Sequence, residues 1–224
     1  MPAEPMHHET VVDAVRAHAA RIPDHPLFTF LPDGEEAEPP LTFAMLDARA
    51  RAVAASLHAA QVEPGSRALL PFQPGQDFVV ALFGCLYAGV VAVPAYLPHP
   101  AQRARGLLRL AGIAEDAQPA AVLTTAGIRA AVETAARTIP DVQEAPWLAV
   151  DTIADGAGAG WSAPSPEPKS VAFLQYTSGS SGRPKGVMVT HGNLTHNTDL
   201  IRTSLGMDGS TVVVGWLPPI TTWD

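Results

Sequence analysis

Apolar residues along this chain switch repeatedly between a helical period and short continuous runs. Val11 to Ala20 places apolar positions at helical spacing and predicts an amphipathic helix that stops before Pro23. Asp24 to Phe30 leads into an acidic, proline-rich loop around Asp33 to Pro40. Thr42 predicts the cap of a long helix running to about Ala60, because Leu46, Ala50, Val53, Ala54 and Leu57 then share one face. Pro64 and Gly65 mark a turn, Arg67 to Phe72 a short apolar strand, and Gln76 to Tyr87 a helix. Gly89 to Ala95 is valine-rich and continuous rather than alternating, the pattern of an interior parallel strand.

The same alternation continues with a helix from about Ala101 to Ala114, a strand from Ala120 to Thr124, a helix from Ala126 to Thr138 and a strand from Trp147 to Val150. This rhythm predicts an α/β fold, a mostly parallel sheet with crossover helices on both faces. Between Asp155 and Pro168 the composition turns to Gly, Ala, Ser and Pro, which buries little apolar area and reads as a flexible loop. Order resumes with a strand from Val171 to Tyr176, a helix from about Gly192 to Leu205 and a strand from Thr211 to Trp216. The expected division is a first lobe over 1–154, a flexible Gly/Ala/Pro/Ser-rich loop over 155–170, and the start of a second lobe over 171–224.

Charge narrows the function classes. Fourteen Lys and Arg stand against 22 Asp and Glu, a net charge of -8, so non-specific binding to nucleic acid or to an anionic lipid surface is not expected. Cys85 is the single cysteine and allows neither an internal disulfide nor a cysteine-based metal site, which fits a reducing cytoplasm. No Lys or Arg precedes Arg16 and no apolar core of leader length follows, so secretion is not expected. The apolar stretch from Asp77 to Pro98 is interrupted by Gly84, Gly89 and Pro94 and reads as a buried helix and strand rather than a membrane span.

The chemistry sits between Phe173 and Asn197. A hydrophobic strand runs into Thr177, Ser178, Gly179, Ser180, Ser181 and Gly182, then Arg183, Pro184, Lys185 and Gly186. Glycines let backbone N–H groups approach an anion, hydroxyls add short donors, and a lysine adds a mobile positive charge. This is neither a Walker A loop, since Gly186 rather than Ser or Thr follows the lysine, nor a dinucleotide fingerprint, since no G-x-G-x-x-G occurs. A nucleoside triphosphate is the natural ligand; a solvent-exposed Ser/Gly turn is the structural alternative.

The string YTSGSSGRPKG, Tyr176 to Gly186, resembles the signature loop of the adenylate-forming, AMP-binding superfamily, with Ser181 where Thr is more usual. With FGCLYAGVVAVPAYLPHP from Phe83 and GWLPP from Gly215, the chain is most similar to the N-terminal portion of the fatty acyl-AMP ligases. The resemblance implies part of the large domain of such an enzyme, ATP with Mg²⁺ as the nucleotide, and a fatty acid activated to acyl-adenylate for polyketide, lipopeptide or lipid synthesis. It implies that Thr177, Ser178, Gly179, Ser180, Ser181 and Gly182 surround the β- and γ-phosphates, with Lys185 offsetting their charge as the catalytic side chain. An acyl carrier protein, or the remainder of the enzyme, is the implied partner.

The likeness lapses after WLPP, where the family continues Tyr, His, Asp, Met, Gly and this chain reads Ile220, Thr221, Thr222, Trp223, Asp224. Little or no ligase activity is therefore expected of these residues alone. A nucleotide-binding remnant without ligase chemistry and a fragment of a long-chain fatty-acid-CoA ligase are the alternatives. Among single residues, Arg183 is read as an exposed base, and His191 and His196 as helix-start residues with structural roles. Cys85 is read as packed, and Arg103, Arg105 and Arg109 as a solvated face that could also meet a carrier protein.

Overall fold

The computed structural model describes residues 8–97, 103–154, 156–164, 166–178 and 184–215. Helix α1, Val11–Arg21, starts where the Thr10 hydroxyl accepts from the Asp13 N–H. A two-stranded antiparallel ribbon follows, β1 (Pro26–Phe28) with β2 (Leu41–Thr42), which the sequence pattern did not reveal. Thr42 caps α2, Phe43–Ala59, through the Met45 N–H as its sequence predicts. Strand β3 is Arg67–Phe72, α3 is Gln76–Ala88 and β4 is Val91–Tyr96. Gly89 closes α3 at φ +67°, a left-handed position that costs a glycine little.

Helix α4, Arg103–Ala117, leads to β5, Ala121–Thr124. Helix α5, Ala126–Ala136, the short α6, Pro140–Gln143, and β6, Trp147–Ala149, follow, with a 3₁₀ turn over Val150–Thr152. The last elements are β7 (Val171–Ser178), β8 (Pro184–Thr190) and α7 (His191–Ser204). Among the described residues six strands form one sheet in the order β6-β5-β3-β4-β7-β8, all parallel except the antiparallel pair β7 and β8. The sheet is thus continuous across residues 155–170: β7 pairs with β4 at Ala92 and Phe173.

Strand alternation divides the core between the two faces of the sheet. Ala68, Leu70 and Phe72 of β3 pack with α1, α2 and α3, whereas Leu69 packs with Val93, Ile113 and Val142 on the opposite face. Helices therefore cover both faces, as the α/β rhythm predicts. Inside the first layer Asp47 is buried, and it accepts from the Tyr87 hydroxyl at 2.9 Å while pairing with Arg51 at 2.6 Å. A buried carboxylate is tolerated when its oxygens are matched in this way.

The described residues of the Gly/Ala/Ser/Pro stretch form no helix or strand, and one side chain ties them to α3: the Trp161 indole donates to the Tyr87 carbonyl at 3.0 Å and stacks on its ring, centroids 5.1 Å apart. The guanidinium groups of Arg16 and Arg51 each lie 5.4 Å from the Trp161 centroid. Gly158 packs so closely on α2 that a Cβ there would stand 2.7 Å from the Ala52 nitrogen. One expectation meets a different structure, at Thr211 to Trp216. Residues 211–215 form no strand, and Val212 and Val214 are 84% and 83% exposed; Trp216 lies outside the described residues. A valine run supplies strand propensity, but it becomes a strand only against a partner.

Candidate functional site

Because β7 runs parallel to β4, it delivers its last residues to the carboxyl edge of the sheet, the edge where open α/β folds bind ligands. The chain turns back as β8, a strand that the sequence analysis does not predict. An edge strand tolerates both Pro184 and Gly186, since among the described residues its outer hydrogen-bonding side has no partner to lose. The register pairs Tyr176 with Gly186, Thr177 with Lys185 and Ser178 with Pro184. Gly179, Ser180, Ser181, Gly182 and Arg183 lie outside the described residues.

Cross-strand partners share a face, so alternation places Tyr176 and Gly186 on one side and Thr177 with Lys185 on the other. The first side is packed. Tyr176 is fully buried in the layer containing Ile113, Ala114 and Ala117 of α4. Its hydroxyl donates to Asp116 Oδ2 at 2.5 Å. Burial, then the hydrogen bond and charge of Asp116, push the phenol well above its ordinary value.

The ring lies so close to β8 that a Cβ on Gly186 would be 3.0 Å from Tyr176 Cζ, and a Cβ on Gly112 of α4 would be 3.3 Å from Pro184. Within the signature string, Tyr176, Pro184 and Gly186 thus serve packing against α4. Thr177 and Lys185 face the other way, the threonine half-buried and the lysine exposed. A hydroxyl donor beside a mobile ammonium group, at the foot of a Ser/Gly loop, is a combination suited to phosphate oxygens.

The remaining sequence candidates fall elsewhere. His191 is the first residue of α7, capped by Thr190 and Asn193 in a reciprocal pair, and is 2% exposed. Its backbone N–H donates to the Ser170 carbonyl at 3.0 Å, and burial pushes its imidazole below the ordinary value. His196 is exposed on the same helix. Cys85 is fully buried, and burial pushes its thiol far up, so it packs rather than reacts. A cleft of about 500 Å³ opens where β3 and β5 end, lined by Phe30, Arg49, Phe72, Asp77 and Thr125 among others; none of its lining comes from the hairpin.

Asp116 and Gly112 escaped the sequence reading. Asp116 lies 60 residues from its tyrosine, and no local spacing marks such a pair. Gly112 carries one legible signal, a glycine inside a helical pattern, which often marks a close approach.

Comparison with known proteins agrees with this arrangement. The chain matches the AMP-binding enzyme family over residues 15–222. It is 36% identical over 210 residues to the medium-chain-fatty-acid acyl-carrier-protein ligase JamA of Moorena producens, covering 93% of this chain and 35% of JamA. It is 37% identical over 179 residues to the long-chain-fatty-acid AMP ligase FadD32 of Mycolicibacterium smegmatis, covering 80% of this chain and 28% of FadD32. The fatty acyl-adenylate ligase from L. pneumophila, solved in complex with acyl adenylate and pyrophosphate, superposes with a TM-score of 0.82 at 38% identity, over 96% of this chain and 36% of that one. The chain spans about a third of the length of the curated relatives it matches. With its signature hairpin, its sheet order and this match over nearly every residue, the chain belongs to the AMP-binding enzyme family.

Proposed function

We propose that this chain forms the phosphate-handling part of an enzyme that activates a fatty acid with ATP, giving acyl-adenylate and pyrophosphate. One observation carries the reading: the Thr177 and Lys185 pair turns away from α4 at the mouth of the hairpin, flanking the Ser/Gly loop. Thr177, Ser178, Gly179, Ser180, Ser181 and Gly182 would donate to the β- and γ-phosphates, and Lys185 would offset their charge as pyrophosphate departs. A carboxylate oxygen of the acid forms the bond to the α-phosphorus, and the bond from that phosphorus to its bridging oxygen breaks, the electron pair leaving with pyrophosphate.

Mg²⁺ would arrive on the phosphate oxygens. Among the described residues no group of three or more His, Cys, Asp or Glu could hold a metal ion, and no step here is assigned to it. A carrier-protein acceptor is favoured by JamA, whose name specifies one. The compartment we propose is the cytoplasm; no helix among the described residues is long and apolar enough to cross a membrane.

Titrating ATP or pyrophosphate into the isotopically labelled chain is expected to shift the amides of Thr177 and Lys185. Undisturbed amides at millimolar ligand would remove the phosphate reading. Trapping of acyl-adenylate with hydroxylamine across a panel of fatty acids then reads the activation step. Nucleotide binding with no trapped product would identify a binding protein without ligase chemistry.

A further inference from the structure

We propose that Asp116 is a positioning residue for Lys185, acting through Tyr176 and the helix that carries both of the hairpin's footholds. The inference rests on the phosphate reading of the hairpin and names a residue outside the signature string. Tyr176 is fully buried two residues before the end of β7. Its hydroxyl reaches Asp116 on α4 at 2.5 Å, a donor to an ionisable acceptor. The ring then covers Gly186 so closely that a Cβ there would stand 3.0 Å from Tyr176 Cζ, so one side chain packs on both β7 and β8. Four residues earlier on α4, Gly112 receives Pro184, the first residue of β8. Helix α4 therefore touches both legs of the hairpin just where the loop starts and where it returns.

Lys185 lies between Pro184, which meets Gly112 of α4, and Gly186, which meets the Tyr176 ring, and alternation turns it to the other side. A rotation of Tyr176 or a shift of β8 against α4 would therefore move the lysine relative to Thr177. Helix α4 is itself held at its end, where Arg67 of β3 donates to the carbonyls of Ala117 and Gln118 at 2.6 and 3.0 Å. High in its titration range, the buried phenol keeps its proton and remains a donor. Preorganised donors lose effect steeply when displaced by a fraction of an ångström. Asp116 would tune phosphate binding without touching a phosphate.

The test is pyrophosphate binding to the full chain by calorimetry, with hydrogen exchange of the Thr177 and Lys185 amides read in parallel. Asp116→Ala and Tyr176→Phe are expected to weaken pyrophosphate about tenfold and to speed exchange at both amides. Asp116→Asn, which keeps an acceptor oxygen, should recover part of the affinity and also covers the case in which the alanine variant fails to fold. In a Lys185→Ala background Asp116→Ala should add little, because a positioning residue has no effect once what it positions is gone. Glu115→Ala, on the exposed neighbour, should change nothing.

Wild-type binding that persists undiminished in both Asp116→Ala and Tyr176→Phe would overturn this inference alone. Additive losses in the double variant would do the same. A wild-type chain that does not bind pyrophosphate would overturn the reading of the hairpin and this inference with it.

Discussion

Strands β3 and β8 have similar lengths and both are rich in apolar residues, yet they occupy opposite situations. β3 is hydrogen-bonded to β4 and β5, and every residue from Ala68 to Phe72 is buried. Among the described residues β8 has one partner, β7, and it leaves Val187 52% and Met188 68% exposed. An interior strand answers only to packing, so nearly every substitution in it is felt in stability. An edge strand held through a few footholds can present Lys185 outward and vary elsewhere at small cost. Stability and chemistry are thus drawn from different parts of one sheet, with α4 as the element common to both.

The interior can be broken most severely where α2 and α3 meet. A Cβ on Gly84 would stand 2.3 Å from Val53 Cγ1 and 2.5 Å from Val53 Cβ. Gly84→Leu is expected to abolish native packing, since overpacking costs about 1–3 kcal/mol even when the neighbours can adjust. Circular dichroism and urea unfolding would read this, and a cooperative transition at the wild-type midpoint would mean that the helix spacing is soft. Next in size, Leu70→Ala in β3 is expected to cost about 2–5 kcal/mol through lost transfer energy and a residual cavity. Val187→Ala in β8 should stay within about 0.5 kcal/mol. Similar losses for the pair would erase the distinction between the two strands.

Lys185→Ala sharpens the comparison from the functional side. Its side chain is exposed and faces away from α4, so the unfolding midpoint should hardly move. Pyrophosphate binding, in contrast, should weaken about tenfold, as for one charge-assisted contact. A variant that loses stability and keeps its affinity would reverse the assignment of roles.

Legibility in the sequence followed the same divide. β3 appears at its expected bounds of Arg67 to Phe72, and α2 starts at the expected Thr42 cap, because interior strands and capped amphipathic helices carry local periodic signals. β8 was missed because its proline and glycine are turn residues by composition. They are explained by neighbours, Gly112 and Tyr176, that lie far off in sequence. Trp161 shows the same limit: one aromatic side chain pins a stretch whose composition reads as loose. Around the candidate site, Thr177 and Lys185 were legible from the string itself. Their shared face and the Asp116 foothold were not, since both depend on strand register and on a contact 60 residues away.

The smallest expected effect lies where the two regions join. His191 opens α7 with its ring in the interior, while the helix from His196 onward is exposed. Burial lowers the imidazole's folded value and the charge of Asp13 opposes it in part. A histidine depressed in the fold takes up a proton more readily once unfolded, so acid favours the unfolded chain. Its contribution is intact above the unfolded value near 6.5 and is lost as pH falls from there toward the depressed folded value. For one group the slope cannot exceed about 1.4 kcal/mol per pH unit. Urea unfolding of wild type and His191→Gln at about pH 7.5 and 5.5 isolates it, because the carboxylates common to both proteins cancel in the difference. Wild type should lose more stability than the variant over this interval. A difference that stays flat would mean the imidazole accepts its proton in place, and the junction would then belong with the adaptable edge rather than with the interior.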